Sequence, residues 1–595
     1  MDYLWSLKEL YSSFDGEDFK KDMAAFDGYI EEYKSWVDEI TVNYEDILKK
    51  LEAYIDIESR GVTLLSKLID FAELTVNVDT KNDKALKNLE ILQVKAASTA
   101  EHNSKLQRWI GEISDIDAII ESSSKLKEHS FQIKEIVDKS KYLLSNSEEA
   151  VIAKMKNTGS NSWAKLKDLL ASTLKVDIEL DGENKQLPLT VIRNMAYESD
   201  RELRKKAYEA ELASYYKIED SVAACLNGIK GEVITVSDMR GFESPLQETL
   251  VKSRMDEETL EAMLTAMKES FPAFRRYYRK KGELLGSKKG LPFFDLFAPV
   301  GETDKKFTYE EGQKFVVDNF RTFSDNLADF AQKAIDNSWI DVKPRDGKVA
   351  GAFCQNIHAI GESRIMLNYG DTFSDVVTMA HELGHGFHGE CLLNESILNS
   401  DYPMPIAETA STFCETIVKK AAVKNASKEE AFSILETEVG DCGQVIVDIY
   451  SRFLFESEVF KRRKESSLNA GELNEIMLWA QKEAYGDGLD VEYLHPYMWI
   501  PKPHYYYASY NFYNFPYAFG LLFAKGLYAE YIKRGKEFAK DYEKLLSVTG
   551  KNKIADITKL MGIDVHSVDF WRSSLKTIEE DINKFIELSD ERLNK

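Results

Sequence analysis

Proline is missing from the first 187 residues of this 595-residue chain, and glycine occurs there only six times. Little in that stretch can break a helix. The five cysteines, at 225, 354, 391, 414 and 442, are odd in number and scattered. That argues against a disulfide framework and fits reduced thiols in a cytoplasmic protein. Cys391 and Cys414 read as small buried hydrophobes. No run of about 18 apolar residues occurs, which excludes a helical membrane span. The opening Met1-Asp2-Tyr3-Leu4-Trp5 has no basic-led apolar leader. Positive charge is short: 77 Lys and Arg face 101 Asp and Glu, a net charge of −24. Nucleic acid and anionic membrane are therefore poor partners, and no feature marks an obligate protein partner.

What is present is a globular composition, 44% hydrophobic and 30% charged, on a chain long enough for two or more domains. The proline-free region carries heptad-like apolar patterns such as Leu64, Leu65, Leu68, Ile69, Phe71 and Ala72, which read as long amphipathic helices. A hairpin is expected over 175–189, with its turn at Asp181-Gly182-Glu183-Asn184. It marks a boundary between an N-terminal helical domain, 1–187, and the remainder, 188–595. Helices are expected again from Asp200 to Phe271, broken near Gly241 and Pro245, followed by a loop bracketed by 288–292 and 298–301. Residues 349–354 and 363–369 are short and β-prone, and predict a small sheet with an edge on which an extended peptide could pair.

The densest chemistry lies at His381-Glu382-Leu383-Gly384-His385. On a helix, residues four apart share a face, so both rings point to one spot, and Glu382 reaches it from the side. Zinc takes two such nitrogens, needs a third protein donor and keeps a place for water, whose proton a carboxylate can remove. Thr372-Phe373-Ser374-Asp375 reads as a capping box, and Val376, Ala380, Leu383 and Phe387 form an apolar stripe. A third donor eleven residues on fails, since 388 is His and 391 is Cys. Glu408, after the helix entry marked by Pro403 and Pro405, is the better donor, and Glu390 its rival. Glu415, two turns further, either orients a His or is a solvated carboxylate.

Six of the nine histidines fall between 358 and 504, and Tyr and His crowd the stretch from 493 to 517. Tyr510 and Tyr517 are seven apart, which puts them two turns apart on one face if the stretch is helical. A phenol aimed at a developing oxyanion is a known stabiliser of peptide hydrolysis.

Residues 378–388, the run Ile406-Ala407-Glu408-Thr409-Ala410-Ser411 and the Tyr-rich stretch 504–520 together resemble the oligoendopeptidase F branch of the thimet-oligopeptidase family of zinc peptidases. Weaker echoes are Arg240-Gly241-Phe242-Glu243-Ser244 and residues 365–369, and the likeness runs from about residue 110 to 580. The resemblance implies a mainly α, clam-like two-lobed fold with a deep substrate channel and a small sheet near the active site. It implies one zinc per chain, on His381, His385 and Glu408, with Glu382 as general base. It matches Tyr510 and Tyr517 to the family's tyrosine pair and His504 to a transition-state donor; Phe515 and Pro516 depart from the branch's usual pattern. The expected activity is cleavage of internal bonds of short oligopeptides. The alternative is a zinc carboxypeptidase or dipeptidase acting at chain ends.

Overall fold

The computed structural model describes residues 3–301 and 306–594. Helix dominates, as the proline-free start requires. Helix α1 (Glu17–Ile40) buries Phe19, Phe26, Ile30, Tyr33 and Val37 along one face. It packs on α2 (Ile47–Val78), where Leu68, Phe71 and Ala72 are buried and Leu64, Leu65 and Ile69 lie against the same core. The expected hairpin is present as β1 (Lys175–Leu180) and β2 (Glu183–Pro188), antiparallel with Leu180 opposite Glu183. Its turn is two residues, not four. Asp181 (φ 54°) and Gly182 (φ 78°) both adopt positive φ, the two-residue turn whose twist matches paired strands.

Helix α3 (Glu219–Arg240) ends at Gly241, and α4 (Pro245–Lys252) starts behind the Ser244 N-cap with proline in its first turn. Helix α5 (Glu257–Leu284) runs straight through Pro272, so the expected stop at Phe271 is exceeded by more than three turns. Buried Phe271, Phe274, Tyr277 and Tyr278 on one side of α5 outweigh the missing backbone donor.

The small sheet consists of β3 (Ile340–Asp341), β4 (Phe353–Ile357) and β5 (Glu362–Met366), in the order β3-β5-β4. β5 is central and β4 forms an antiparallel edge. β4 starts later than 349 because the backbone there is engaged elsewhere. Val349 N donates to Asn77 O, and Asn368 Nδ2 donates to Val349 O and Gly351 O. Helix α6 (Phe373–Leu392) packs across β4 and β5. A four-residue helix, α7 (Met404–Ala407), and α8 (Thr409–Asn425) follow, then α9 (Phe515–Arg534) and α10 (Phe538–Ser547).

By their contacts the residues form two compact units. One comprises Met1–Asn146, Lys305–Lys419 and Glu530–Gly562; the other comprises Ser147–Asp304, Lys420–Ala529 and Ile563–Lys595. The first holds the three-stranded sheet and α6, the second the hairpin and α3 to α5. No helix among the described residues is long and apolar enough to cross a membrane.

Candidate metal centre

Helix α6 begins as expected. Thr372 accepts from Asp375 N, and the Asp375 carboxylate accepts from Thr372 N, a reciprocal cap. Val376, Ala380 and Leu383 are fully buried and Phe387 nearly so, which fixes the helix by its back. His381 and His385 then lie one turn apart with their Nε2 atoms 3.1 Å from each other.

The third donor comes from a second segment. Pro403 caps α7 and Pro405 sits in its first turn, where proline is tolerated, and this four-residue helix ends at Glu408. Glu408 Oε2 lies 3.3 Å from His381 Nε2 and 3.6 Å from His385 Nε2. Ser411 Oγ donates to the same oxygen at 3.1 Å. The close approach requires Gly384, because a Cβ there would stand 2.6 Å from the Ala410 carbonyl oxygen. Glu390, the rival donor, is turned to Lys333 at 3.2 Å.

Behind the rings, His381 Nδ1 bonds Glu415 Oε1 at 2.6 Å, and Glu415 Oε2 pairs with Lys419 Nζ at 2.8 Å. A carboxylate on Nδ1 leaves Nε2 as the forward-facing donor atom. Lys419 is four residues after Glu415, a helical pair whose only signal in the sequence is that spacing. Asn356 Nδ2, from β4, donates to His385 O at 3.0 Å. The ring of His388 is buried, stacks on Tyr402 at 4.0 Å and bonds Thr549 Oγ1 at 2.8 Å.

The electrostatics show what this arrangement demands. Burial disfavours charge on His381, yet Glu408 and Glu415 overcome it and raise the ring to about 10. Burial and the charge of His381 push His385 down to about 4. Burial raises Glu382 to about 7, with Glu408 and Glu415 adding to the effect and His381 opposing it. Burial opposes ionisation of Glu415, but Lys419 and His381 hold its carboxyl at about 2. The carboxylates of Glu408 and Glu415 thus favour positive charge at the rings.

The residues fit a divalent metal. Ligand atoms of His381, Glu382 and His385 all lie within 4.8 Å of one another. Donors about 2.0–2.2 Å from a tetrahedral zinc are about 3.3–3.6 Å apart, close to the three separations above. Glu382 is 5% exposed, and its Oε2 is buried without a hydrogen-bond partner, as an acceptor reserved for a guest would be.

The other three proposed site residues lie in the second unit. His504 Nδ1 bonds Asn514 Oδ1 at 2.9 Å, and its ring stacks on Tyr513 at 4.8 Å and on Tyr517 at 6.3 Å. Burial lowers His504 below its ordinary value, with Arg452 and Lys502 assisting against the Asn514 bond. The tyrosine row does not form one helical face. Phe512 has φ 52° and α9 begins only at Phe515, with Pro516 in its first turn, so Tyr510 precedes the helix. Tyr513 joins the pair instead, 5.4 Å from the Tyr510 ring and 5.8 Å from that of Tyr517.

Comparison with known proteins identifies the family. The model of Peptidase family M3 matches residues 194–577, and that of Oligopeptidase F matches residues 112–175. The chain belongs to peptidase family M3. It is 23% identical to oligopeptidase PepF of Bacillus subtilis, over 98% of this chain and 87% of that one. It is 26% identical to the chromosomal oligoendopeptidase F of Lactococcus lactis subsp. cremoris, over 68% and 67%. Among solved structures, a peptidase of Chlamydophila abortus superposes with TM-score 0.84 at 22% identity, covering 99% of this chain and 98% of the other. Oligoendopeptidase F of Enterococcus faecium superposes with TM-score 0.70 at 18% identity, over 96% and 100%. The resemblance read from the sequence is thereby shown, and the chain is a mainly helical M3 peptidase.

Proposed function

We propose that this M3 peptidase is a zinc-dependent endopeptidase that cleaves internal bonds of short oligopeptides. The observation that carries the reading is the convergence of His381, His385 and Glu408 at 3.1 to 3.6 Å beside the unpartnered Glu382 oxygen. The names of the relatives above, oligopeptidase and oligoendopeptidase, support the substrate class.

His381, His385 and Glu408 would hold the zinc, one per chain, and Glu415 would fix the His381 ring. Bound there, zinc supplies Lewis acidity and lowers the pKa of water to about 7. Glu382 takes the proton of the attacking water at its free carboxylate oxygen and passes it to the leaving amine. Tyr510 and Tyr517 donate to the carbonyl oxygen as it gains charge, with His504 as a further donor. The β4 edge offers backbone groups to an extended peptide.

A cytoplasmic home is supported by the five cysteines, none of which forms a disulfide among the described residues. The domain boundary proposed at 187 falls between the two matched regions, 112–175 and 194–577.

The test is digestion of length-graded peptides blocked at both ends, with and without chelator. Internal cuts that vanish with chelator support the reading, whereas cleavage only of unblocked ends transfers the activity to a carboxypeptidase or dipeptidase. Glu382→Gln should keep its zinc and lose at least about 100-fold in rate. Near wild-type turnover in that variant removes Glu382 as the base.

A further inference from the structure

Three consecutive residues of the tyrosine stretch are gripped from one side within the second unit. Lys252 Nζ, at the end of α4, donates to Ser509 O at 2.9 Å. Thr249 Oγ1 on the same helix donates to Asn511 O at 2.9 Å. Lys230 Nζ, on α3, donates to Asn511 Oδ1 at 2.9 Å and to Glu456 Oε1 at 2.6 Å. Lys230 and Glu456 are each 1% exposed, so this anchor is an ion pair out of reach of water. Between the anchors, Ser253 Oγ and Tyr510 OH lie 2.8 Å apart.

Ser253 is itself enclosed and tied to the helix end. It is fully buried and caps the C-terminus of α4, its N–H donating to Thr249 O at 2.9 Å. With the chain held at 509 and 511, side-chain rotation is the main freedom left to Tyr510, and the bond to Ser253 restrains it. The polarity of that bond matters. With Ser253 donating, the phenol oxygen spends a lone pair on the serine and turns its own proton outward. Burial raises the phenol above its ordinary value while Ser253 opposes the shift, so the group stays protonated and able to donate.

We propose that Ser253 is a positioning residue, which aims the Tyr510 phenol so that its proton meets the scissile carbonyl oxygen from a preset direction. The inference rests on the role given to Tyr510 above, and a double-mutant cycle separates the two. The zinc-loaded full chain is assayed with a blocked, internally quenched peptide as wild type, S253A, Y510F and S253A/Y510F, with zinc content and thermal midpoint measured alongside.

S253A should lower kcat about tenfold, with KM and zinc content unchanged. It should cost nothing further in the Y510F background. S253C, which keeps a weak donor, should fall between serine and alanine, and carries the test if S253A does not fold. Should Y510F lose rate while S253A leaves kcat intact, or multiply its full loss onto Y510F, the inference is overturned. A drop in thermal midpoint alone overturns it as well. If Y510F by itself turns over like wild type, the role of Tyr510 fails and takes this inference with it.

Discussion

Adding one methyl group at Gly384 measures how closely the metal helix must approach the Glu408 segment. A Cβ at that position would lie 2.6 Å from the Ala410 oxygen and 2.7 Å from Ser411 Cα, where ordinary contact begins at 3.4 Å. Both neighbours are backbone, so neither can rotate aside. The start of α8 has to retreat by about 0.8 Å to restore van der Waals separation. Overpacking of this kind costs about 1–3 kcal/mol. The better helix propensity of alanine returns up to about 1 kcal/mol. Stability should therefore fall only modestly.

The larger effect falls on the metal. Glu408 stands two residues before Ala410, and its Oε2 is 3.3 and 3.6 Å from the two ring nitrogens. Metal–ligand distances tolerate about 0.2 Å, so a shift of about 0.8 Å spoils the fit. Gly384→Ala should lose at least the 10–100-fold in zinc affinity (an order-of-magnitude range) that follows removal of an outer supporting contact. Competition against a chromophoric chelator reads the affinity, and thermal melts of the metal-free protein read the stability. Gly28→Ala, at a helix position with nothing within 4 Å, is the control and should bind zinc as wild type does. Wild-type zinc affinity in Gly384→Ala would refute the argument.

Two further outcomes follow from the same physics. Glu415→Gln replaces the carboxylate that accepts from His381 Nδ1 at 2.6 Å, and zinc affinity should fall by about 10–100-fold in the same competition assay; an unchanged affinity counts against the orienting role. Asp70, 5% exposed on α2, has its carboxyl raised to about 7 by burial, with Glu73 adding and the Gln355 bond opposing. An acid that binds its proton more tightly when folded stabilises the protein below its unfolded pKa, near 4, and loses that contribution as pH climbs through 7. Asp70→Asn should therefore gain on wild type between pH 4 and 7, by a few kcal/mol in order of magnitude. A difference in thermal midpoint that stays constant with pH would exclude this origin.

Local chemistry made much of the metal half legible. The Thr372–Asp375 cap, the stripe through Val376 and Leu383, and the prolines before Glu408 each act over a few residues, so composition and spacing carry them. The tyrosine half was less legible, because the departure at Phe512 is a positive φ on a residue type that rarely adopts one. Spacing of seven therefore suggested a helical face where the chain is irregular. Two lobes were implied by the resemblance, but the way their segments alternate along the sequence was not legible. It rests on contacts such as Ser6 N to Ser338 O and Tyr208 OH to Leu494 O, which join positions hundreds of residues apart. Ser253 was hidden for the same reason: nothing near it in sequence hints at a partner 257 positions on.

The buried imidazole at 388 ties distant stretches together. One face of the ring meets Tyr402, six residues short of Glu408, while its Nε2 reaches Thr549, far along the chain. A fragment cut before residue 530 would still own every donor atom of the centre. It would lack the wall against which the approach of the last of them is braced. Possession of the ligands and the ability to present them are separate properties of this sequence, encoded about 140 residues apart.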